Sequence, residues 1–146
     1  KVWLLWGVVW LLLGVPVWVP AHELAPPRVL VWVHGCYDGD TCMISIPGTH
    51  PLFGDHIPVR ILGIDTPEIK GSCEREKAMA RAARDFARTL LGEAREIRLV
   101  QASRGDKYFR VLGRLVADGQ DLSQSLIEAH LAVAYNGGTK TAQWCR

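Results

Sequence analysis

The chain has 146 residues, enough for one domain with a modest hydrophobic core. Its formal net charge of +2 is too small to indicate nucleic-acid binding by itself. A case for a phosphate ligand therefore depends on where individual arginines lie in the chain.

The first 21 residues have the layout of a secretory signal peptide. Lys1 precedes an almost unbroken apolar run, Pro16 breaks any helix, and Ala21 offers a site for cleavage. The alternative is a membrane anchor, since the apolar run is nearly long enough to span a bilayer. Under either interpretation, residues 22–28 form a linker and residues 29–146 form the folded domain.

The cysteines agree with export. All four lie beyond residue 21, and an even number of cysteines in an exported domain suggests disulfides. Four cysteines allow three connectivities, and the sequence alone does not choose among them. Cys36 and Cys42 flank a turn symmetrically, so a bridge between two strands is one of these, and it would leave Cys73 to pair with Cys145. One or two buried free thiols are the alternative. We expect a periplasmic or secreted protein, or one held at a membrane through residues 1–20.

Patterning predicts a mainly β domain of the α+β class. Five short strands are expected, at residues 29–34, 42–46, 57–64, 96–100 and 109–117. Residues 74–91 contain neither Gly nor Pro and predict one long helix between the third and fourth strands, with Gly92 just past its end. Residues 49–56 are expected to form a loop. A short helix follows at residues 122–130, capped by Asp121 or Ser123. This order is that of the five-stranded oligonucleotide/oligosaccharide-binding (OB) barrel.

Three carboxylates lie at the ends of predicted strands. Asp40 follows the tight turn Asp38-Gly39, and Asp65 and Glu68 follow the third strand. Carboxylate oxygens are hard ligands, suited to Ca²⁺ or Mg²⁺. Each segment alone is an ordinary turn or strand end, but both can project from one rim of a barrel. The pair therefore indicates a site for a hard cation.

Two arginines complete the pattern. Arg60 is the one charged residue in an apolar strand, and Arg110 opens the last predicted strand. A planar guanidinium binds two oxygens of a phosphodiester at once and stabilises the charge that builds up during hydrolysis. Together with the carboxylates, the arginines predict a metal-dependent nuclease. The five histidines are scattered, and each is expected to be a surface or loop residue.

The chain resembles the staphylococcal nuclease family over roughly residues 29–135. Three blocks of sequence carry the resemblance: Asp38-Gly39-Asp40-Thr41, then Arg60-Ile61-Leu62-Gly63-Ile64-Asp65-Thr66-Pro67-Glu68, then Asp106-Lys107-Tyr108-Phe109-Arg110. The second block is the most specific of the three.

The resemblance implies a role for each matching residue. The implied assignments are Asp40, Asp65 and the backbone carbonyl of Thr66 as ligands of Ca²⁺, Glu68 as candidate general base, Arg60 and Arg110 as the contacts of the scissile phosphate, Lys107 and Tyr108 as contacts of a terminal phosphate, and Tyr135 as a residue that packs on a base. The implied reaction is endonucleolytic hydrolysis of DNA and RNA to 3′-phosphate products. We expect a monomer, since nothing in the sequence demands a larger assembly.

One position departs from the family pattern. Phe109 stands where the third block usually has glycine, and a positive φ there would strain the turn and displace Arg110. An ordinary β conformation at Phe109 would avoid this. The alternative function is an inactive OB module that binds single-stranded nucleic acid or a protein ligand. Such modules commonly lose the carboxylates or the arginines, and this chain has both.

Overall fold

The computed structural model describes residues 29–104 and 110–146 of the chain. Its strands are β1 Val29–Leu30, β2 Trp32–Cys36, β3 Thr41–Ser45, β4 Ile57–Ile61, β5 Ile64–Asp65, β6 Ile97–Arg104, β7 Val111–Ala117, β8 Gln120–Asp121 and β9 Val133–Ala134, and its helices are α1 Pro51–Gly54, α2 Glu74–Glu93 and α3 Leu122–Glu128. The predicted leader and linker, with Lys107, Tyr108 and Phe109, lie outside the described residues.

Seven strands form one curled, mixed sheet. Its order is β1-β6-β7-β4-β3-β2, with β8 attached to β7. Only β4 and β7 pair in parallel within this sheet, among the pairs described. β1 and β2 are consecutive in the chain, separated by Val31, whose N–H donates to the Ile97 carbonyl at 3.0 Å. β1 and β2 are at opposite ends of the sheet order but belong to one continuous segment of the chain. The sheet therefore curls around its core.

The mainly β class with added helices is confirmed, and the architecture is consistent with an OB-like fold. The strand count differs from the five predicted, because four strands of two residues each accompany five longer ones. The predicted third strand divides, since Gly63 has a φ of 84° and turns the chain. Its second part, β5, pairs with β9 in a separate two-stranded sheet.

The helices also differ in detail from the prediction. Residues 49–56 are not entirely loop, because α1 forms within them, with His50 as its N-cap. Gly92 lies inside α2 rather than past its end, since the helix continues to Glu93. Asp121 caps α3 by accepting a hydrogen bond from the Gln124 N–H, and that helix ends at Glu128.

The core lies between the curled sheet and α2. Buried sheet residues such as Ile44, Val59 and Leu115 form its centre, and α2 covers one end with Ala83 and Ala87. Small side chains on this face allow the helix axis to approach the sheet closely. The long helix is therefore held at short range against the turn before β3.

The four cysteines form two disulfides, in one of the three connectivities that the sequence left open. Cys36–Cys42 joins β2 to the second residue of β3, and Cys73–Cys145 joins the N-cap of α2 to the tail beyond β9. Such bonds are typical of proteins from an oxidising compartment. Within residues 29–104 and 110–146, no helix is both long and apolar enough to cross a membrane.

Gly39 gives a direct test of the packing between α2 and the turn. A Cβ there would lie 2.8 Å from both Ala83 Cβ and Thr66 Cγ2, so Gly39→Ala is expected to destabilise the fold by about 1–3 kcal/mol in urea unfolding. Gly92→Ala is the matched control, since no atom lies within 4 Å of its Cβ. In a helix that change is expected to stabilise by about 0.5–1 kcal/mol. Equal effects of the two variants would show that the turn is not closely packed.

Candidate active site

Strand register brings the first carboxylate and the first arginine together. Asp40 ends the turn that leads into β3, and Thr41, the next residue, lies opposite Arg60 of β4. The Ile61 N–H donates to the Asp40 carbonyl at 2.8 Å, which fixes the turn on the neighbouring strand. Asp65 lies in β5, just after the turn at Gly63. One short hairpin and one turn therefore suffice to place three charged side chains at the same rim.

Arg60 lies between the two aspartates. Its Nη1 is in close contact with Asp40 Oδ2, and its Nη2 lies 3.7 Å from Asp65 Oδ1. Both carboxylates are almost completely buried, and the Arg60 side chain is only 14% exposed. The Ile64 carbonyl accepts a further hydrogen bond from Nη2 at 3.3 Å. Charges this deeply buried persist because each one compensates another.

Backbone and hydroxyl donors hold the Asp40 carboxylate. The Thr66 N–H donates to Oδ2 and the Thr41 hydroxyl to Oδ1, each at 3.2 Å. The Asp40 N–H in turn donates to Asp38 Oδ1 at 3.2 Å. The Asp40 carboxylate is therefore held by Thr41, the first residue of β3, and by Thr66, the residue after β5, while Asp38 holds its backbone.

Asp38 is a second buried carboxyl in the same turn. Burial, followed by the negative charge of Glu68, raises the pKa of Asp38. The sequence predicted only a turn here, since Asp-Gly is common in tight hairpins. The structure shows that the Asp38 carboxyl is one of the interacting charged groups of the site, together with Glu68 and Arg60.

Glu68 and Lys140 form the exposed edge of the site. The Glu68 side chain is 50% exposed, and its Oε1 lies 2.8 Å from Lys140 Nζ. The same ammonium group lies 2.8 Å from Asp65 Oδ1. Burial opposes the charge on Lys140, but hydrogen bonds to both carboxylates outweigh it and raise the pKa of Lys140.

Lys140 was not predicted as a site residue. It lies in the tail that Cys145 ties to Cys73, and this tail crosses the carboxylates on its way to the disulfide. The one signal in the sequence was the cysteine pairing, which placed the tail near the start of the long helix without specifying which side chain would reach the site.

Of the other predicted residues, Arg110 and Tyr135 lie within the described part of the chain. Arg110 is partly buried, and burial, with a smaller contribution from the positive charge of Arg110, lowers the pKa of Arg60. Tyr135 is half-buried beside the turn after β4, since its N–H donates to the Gly63 carbonyl at 2.9 Å. Its hydroxyl donates to the Gly138 carbonyl at 2.6 Å.

The donor set fits a hard divalent cation. Asp40 and Asp65 supply carboxylate oxygens, and Thr66 Oγ1 is buried without a hydrogen-bond partner among the described atoms. Arg60 contacts both aspartates and Lys140 contacts Asp65, so a cation would have to replace part of those contacts. Chemically, the arrangement offers hard carboxylate oxygens, a buried guanidinium and an exposed carboxylate side by side.

The chain matches the family model described as staphylococcal nuclease homologue over residues 58–143. The chain belongs to this family. The match contains Arg60, Asp65, Glu68 and Arg110, together with Lys140, while Asp40 lies before it. Membership of the staphylococcal nuclease homologues indicates a nuclease-type or nucleic-acid-binding function.

Arg60→Met tests the charge balance of the site. Removal of the guanidinium leaves two buried aspartates without their shared partner, so we expect a loss of about 3 kcal/mol in the free energy of unfolding, measured in urea without divalent ions. Arg98→Met removes an exposed ion pair with Glu96 and is expected to have a far smaller effect. A loss at Arg60 no larger than that at Arg98 would contradict this account of the site.

Proposed function

We propose that this protein is a Ca²⁺-dependent endonuclease that hydrolyses phosphodiester bonds of DNA and RNA to 3′-phosphate products. The observation that carries the proposal is the convergence of Asp40, Arg60 and Asp65 at one rim of the sheet, with the charge of Arg110 close by. Two carboxylates alone would suit a structural cation site. The addition of two guanidinium groups matches the charge distribution of a phosphodiester under attack.

The cation would be held by the carboxylates of Asp40 and Asp65 and by the backbone carbonyl of Thr66. When bound, Ca²⁺ would supply positive charge to a non-bridging phosphate oxygen and to the attacking water. The protein offers fewer oxygens than the six to eight that Ca²⁺ prefers. Water and substrate must therefore complete the coordination, and we expect weak binding in the absence of nucleic acid.

Arg60 and Arg110 would hold the scissile phosphate from the side of the sheet. Arg60 is oriented by two carboxylates and the Ile64 carbonyl, so little ordering of its side chain remains to be done when a phosphate arrives. Arg110 adds a second positive charge within electrostatic reach. Negative charge that develops on the phosphate oxygens would be stabilised by both groups.

Glu68 would orient the attacking water and accept its proton. Its side chain is half exposed, so water can reach it, and it follows the aspartate ligand by three residues. The bond between phosphorus and the 5′-oxygen then breaks, and the leaving oxygen takes a proton from solvent. Lys107 and Tyr108 would contact a terminal phosphate and Tyr135 a base, as the family resemblance implies.

The proposed setting follows from the disulfides and the N-terminal pattern. We propose an exported monomer in which residues 1–21 act as signal peptide or anchor and residues 29–146 form one nuclease domain. The disulfides of the structure support an oxidising compartment. Such a compartment, with plentiful calcium, also suits a site of weak metal affinity.

The decisive experiment measures cleavage of single-stranded DNA by the oxidised chain, with Ca²⁺ and then with a chelator. Glu68→Gln is expected to lower the rate by about 10²-fold or more, because it removes the proton acceptor. Glu93→Gln, at the exposed end of α2, is the matched control and should cleave like the wild type. Binding of DNA by a folded wild type that does not cleave it would instead support the inactive OB module.

Lys140→Met tests the cation balance of the metal site. Lys140 Nζ lies 2.8 Å from Asp65 Oδ1 and 2.8 Å from Glu68 Oε1. Removal of this positive charge is expected to tighten Ca²⁺ binding about tenfold, measured by calorimetry without nucleic acid. Lys140→Arg keeps the charge and should bind Ca²⁺ as weakly as the wild type. Unchanged affinity in Lys140→Met would show that Ca²⁺ does not compete with this lysine.

A further inference from the structure

A stripe of basic residues lies along one flank of α2, outside the proposed active site. Its members follow one another at three- or four-residue spacing, which places them on the same side of the helix, and together they are called the basic stripe: Lys77, Arg81, Arg84 and Arg88. The helix rises by about 17 Å from the first of them to the last. The stripe is therefore a line of positive charge rather than a set of isolated residues.

Two exposed carboxylates border the basic stripe without cancelling its charge. Glu74 Oε1 lies 2.8 Å from Lys77 Nζ, and Asp85 Oδ1 lies 2.8 Å from Arg84 Nη2. Ion pairs with such exposed carboxylates are weak, so a ligand can replace them. The stripe also places like charges at i and i+4, as at Lys77 and Arg81, an arrangement that destabilises a helix. A polyanion bound along this flank would relieve that repulsion.

Arg88 connects the basic stripe to the end of β2. Its Nε and Nη2 both donate to the Cys36 carbonyl, at 3.0 and 2.7 Å. These bonds use two of the five N–H groups of the guanidinium, and the residue is exposed, so the remaining groups can bind an anion. The guanidinium is thereby oriented without a ligand.

Tyr37, the next residue after Cys36, is exposed on a rigid turn. It is 55% exposed. Its backbone is nevertheless fixed, because its N–H donates to the Thr41 carbonyl at 2.8 Å and the disulfide between Cys36 and Cys42 closes the turn. Exposed aromatic side chains are the groups on which nucleobases stack in proteins that bind single strands. Tyr37 therefore offers a stacking platform that needs little ordering.

A groove of about 250 Å³ joins these features to the proposed active site. Tyr37, Thr41, Met43 and Arg88 are among the residues that line it. Thr41 also donates its hydroxyl to Asp40 Oδ1 at 3.2 Å, so one residue belongs both to the groove and to the site. The groove thus leads from the carboxylates of the site to the last member of the basic stripe.

We propose that this groove and the basic stripe bind the nucleic-acid strand where it continues beyond the scissile phosphate. The three arginines of the stripe would contact phosphates along the strand. Tyr37 would stack on an unpaired base. The proposal rests on the proposed function, because it assigns a second binding segment to the same substrate. The aromatic group favours a nucleic acid over other polyanions, since a lipid headgroup or an acidic protein offers no nucleobase to Tyr37.

Fluorescence anisotropy with single-stranded DNA tests the basic stripe. The oxidised full chain is titrated in a chelator, without cleavage, with a strand of about 20 nucleotides, longer than the site of one OB fold. Arg81→Gln/Arg84→Gln is expected to weaken binding about tenfold. It should also reduce the slope of log K against log salt by about 1.4, because each lost phosphate contact contributes about 0.7.

Arg75→Gln/Arg98→Gln is the matched control and removes the same charge. Arg75 lies on another side of α2, and Arg98 lies in β6, where it pairs with an exposed carboxylate as Arg84 does. This variant should keep the salt slope of the wild type.

Substitution of Tyr37 tests the stacking platform. Tyr37→Leu is expected to weaken binding of the single strand about fivefold or more, whereas Tyr37→Phe keeps the ring and should bind like the wild type. A duplex of the same length keeps its bases stacked within the helix, so Tyr37→Leu should bind the duplex like the wild type. Damage to the fold would weaken both, and near-ultraviolet circular dichroism of each variant checks the fold directly.

Four outcomes would overturn the proposal: no binding of the single strand by the wild type, equal salt slopes in the two double variants, equal affinity in Tyr37→Leu and Tyr37→Phe, or an equal loss for duplex and single strand in Tyr37→Leu. Loss of binding to phosphatidylglycerol vesicles in Arg81→Gln/Arg84→Gln, with DNA binding unchanged, would assign the stripe to a membrane surface and overturn it as well. Failure of the proposed function is seen separately, as a wild type that binds DNA in the chelator but does not cleave it with Ca²⁺.

Discussion

The buried contact of Arg60 with Asp40 and Asp65 is the interaction on which the site depends. Three charges are held almost out of solvent, and none of them would be stable there alone. The curled sheet provides this environment by placing the turn before β3 against β4, and the turn at Gly63 then returns Asp65 to the same rim. The fold thus confines charges that a ligand can later separate.

Two cationic side chains meet the carboxylates from different directions. Arg60 approaches from the sheet and Lys140 from the tail, so Asp65 has a positive charge on both sides, whereas Asp40 is paired with Arg60 alone among these two. Arg60 is positioned by strand register, which is rigid, whereas Lys140 is positioned by a segment with little regular structure. The two contacts are therefore expected to differ in how readily they yield to an incoming cation.

Features set by short stretches of sequence were accessible to prediction. Asp40, Arg60 and Asp65 lie near turns and strands whose hydrophobic pattern is clear, and they do meet in the structure. The extent of α2 was underestimated at Gly92, because packing of a long helix overrides the propensity of one glycine. Lys140 could not be predicted, since its place depends on a disulfide that closes over most of the domain. The pairing of β5 with β9 also depends on tertiary contacts between distant segments.

The two disulfides differ in the order in which folding can bring their cysteines together. Cys36 and Cys42 are six residues apart across one hairpin, and such hairpins form in microseconds. Cys73 and Cys145 are 72 residues apart, and α2, β6, β7 and α3 lie between them. Contacts between distant segments form late, because the chain must first give up the entropy of a large loop. The turn that holds Asp40 is therefore closed by a local bridge, whereas the tail that carries Lys140 is held by a bridge between distant parts of the chain, so the site combines one locally determined segment with one that depends on the whole domain.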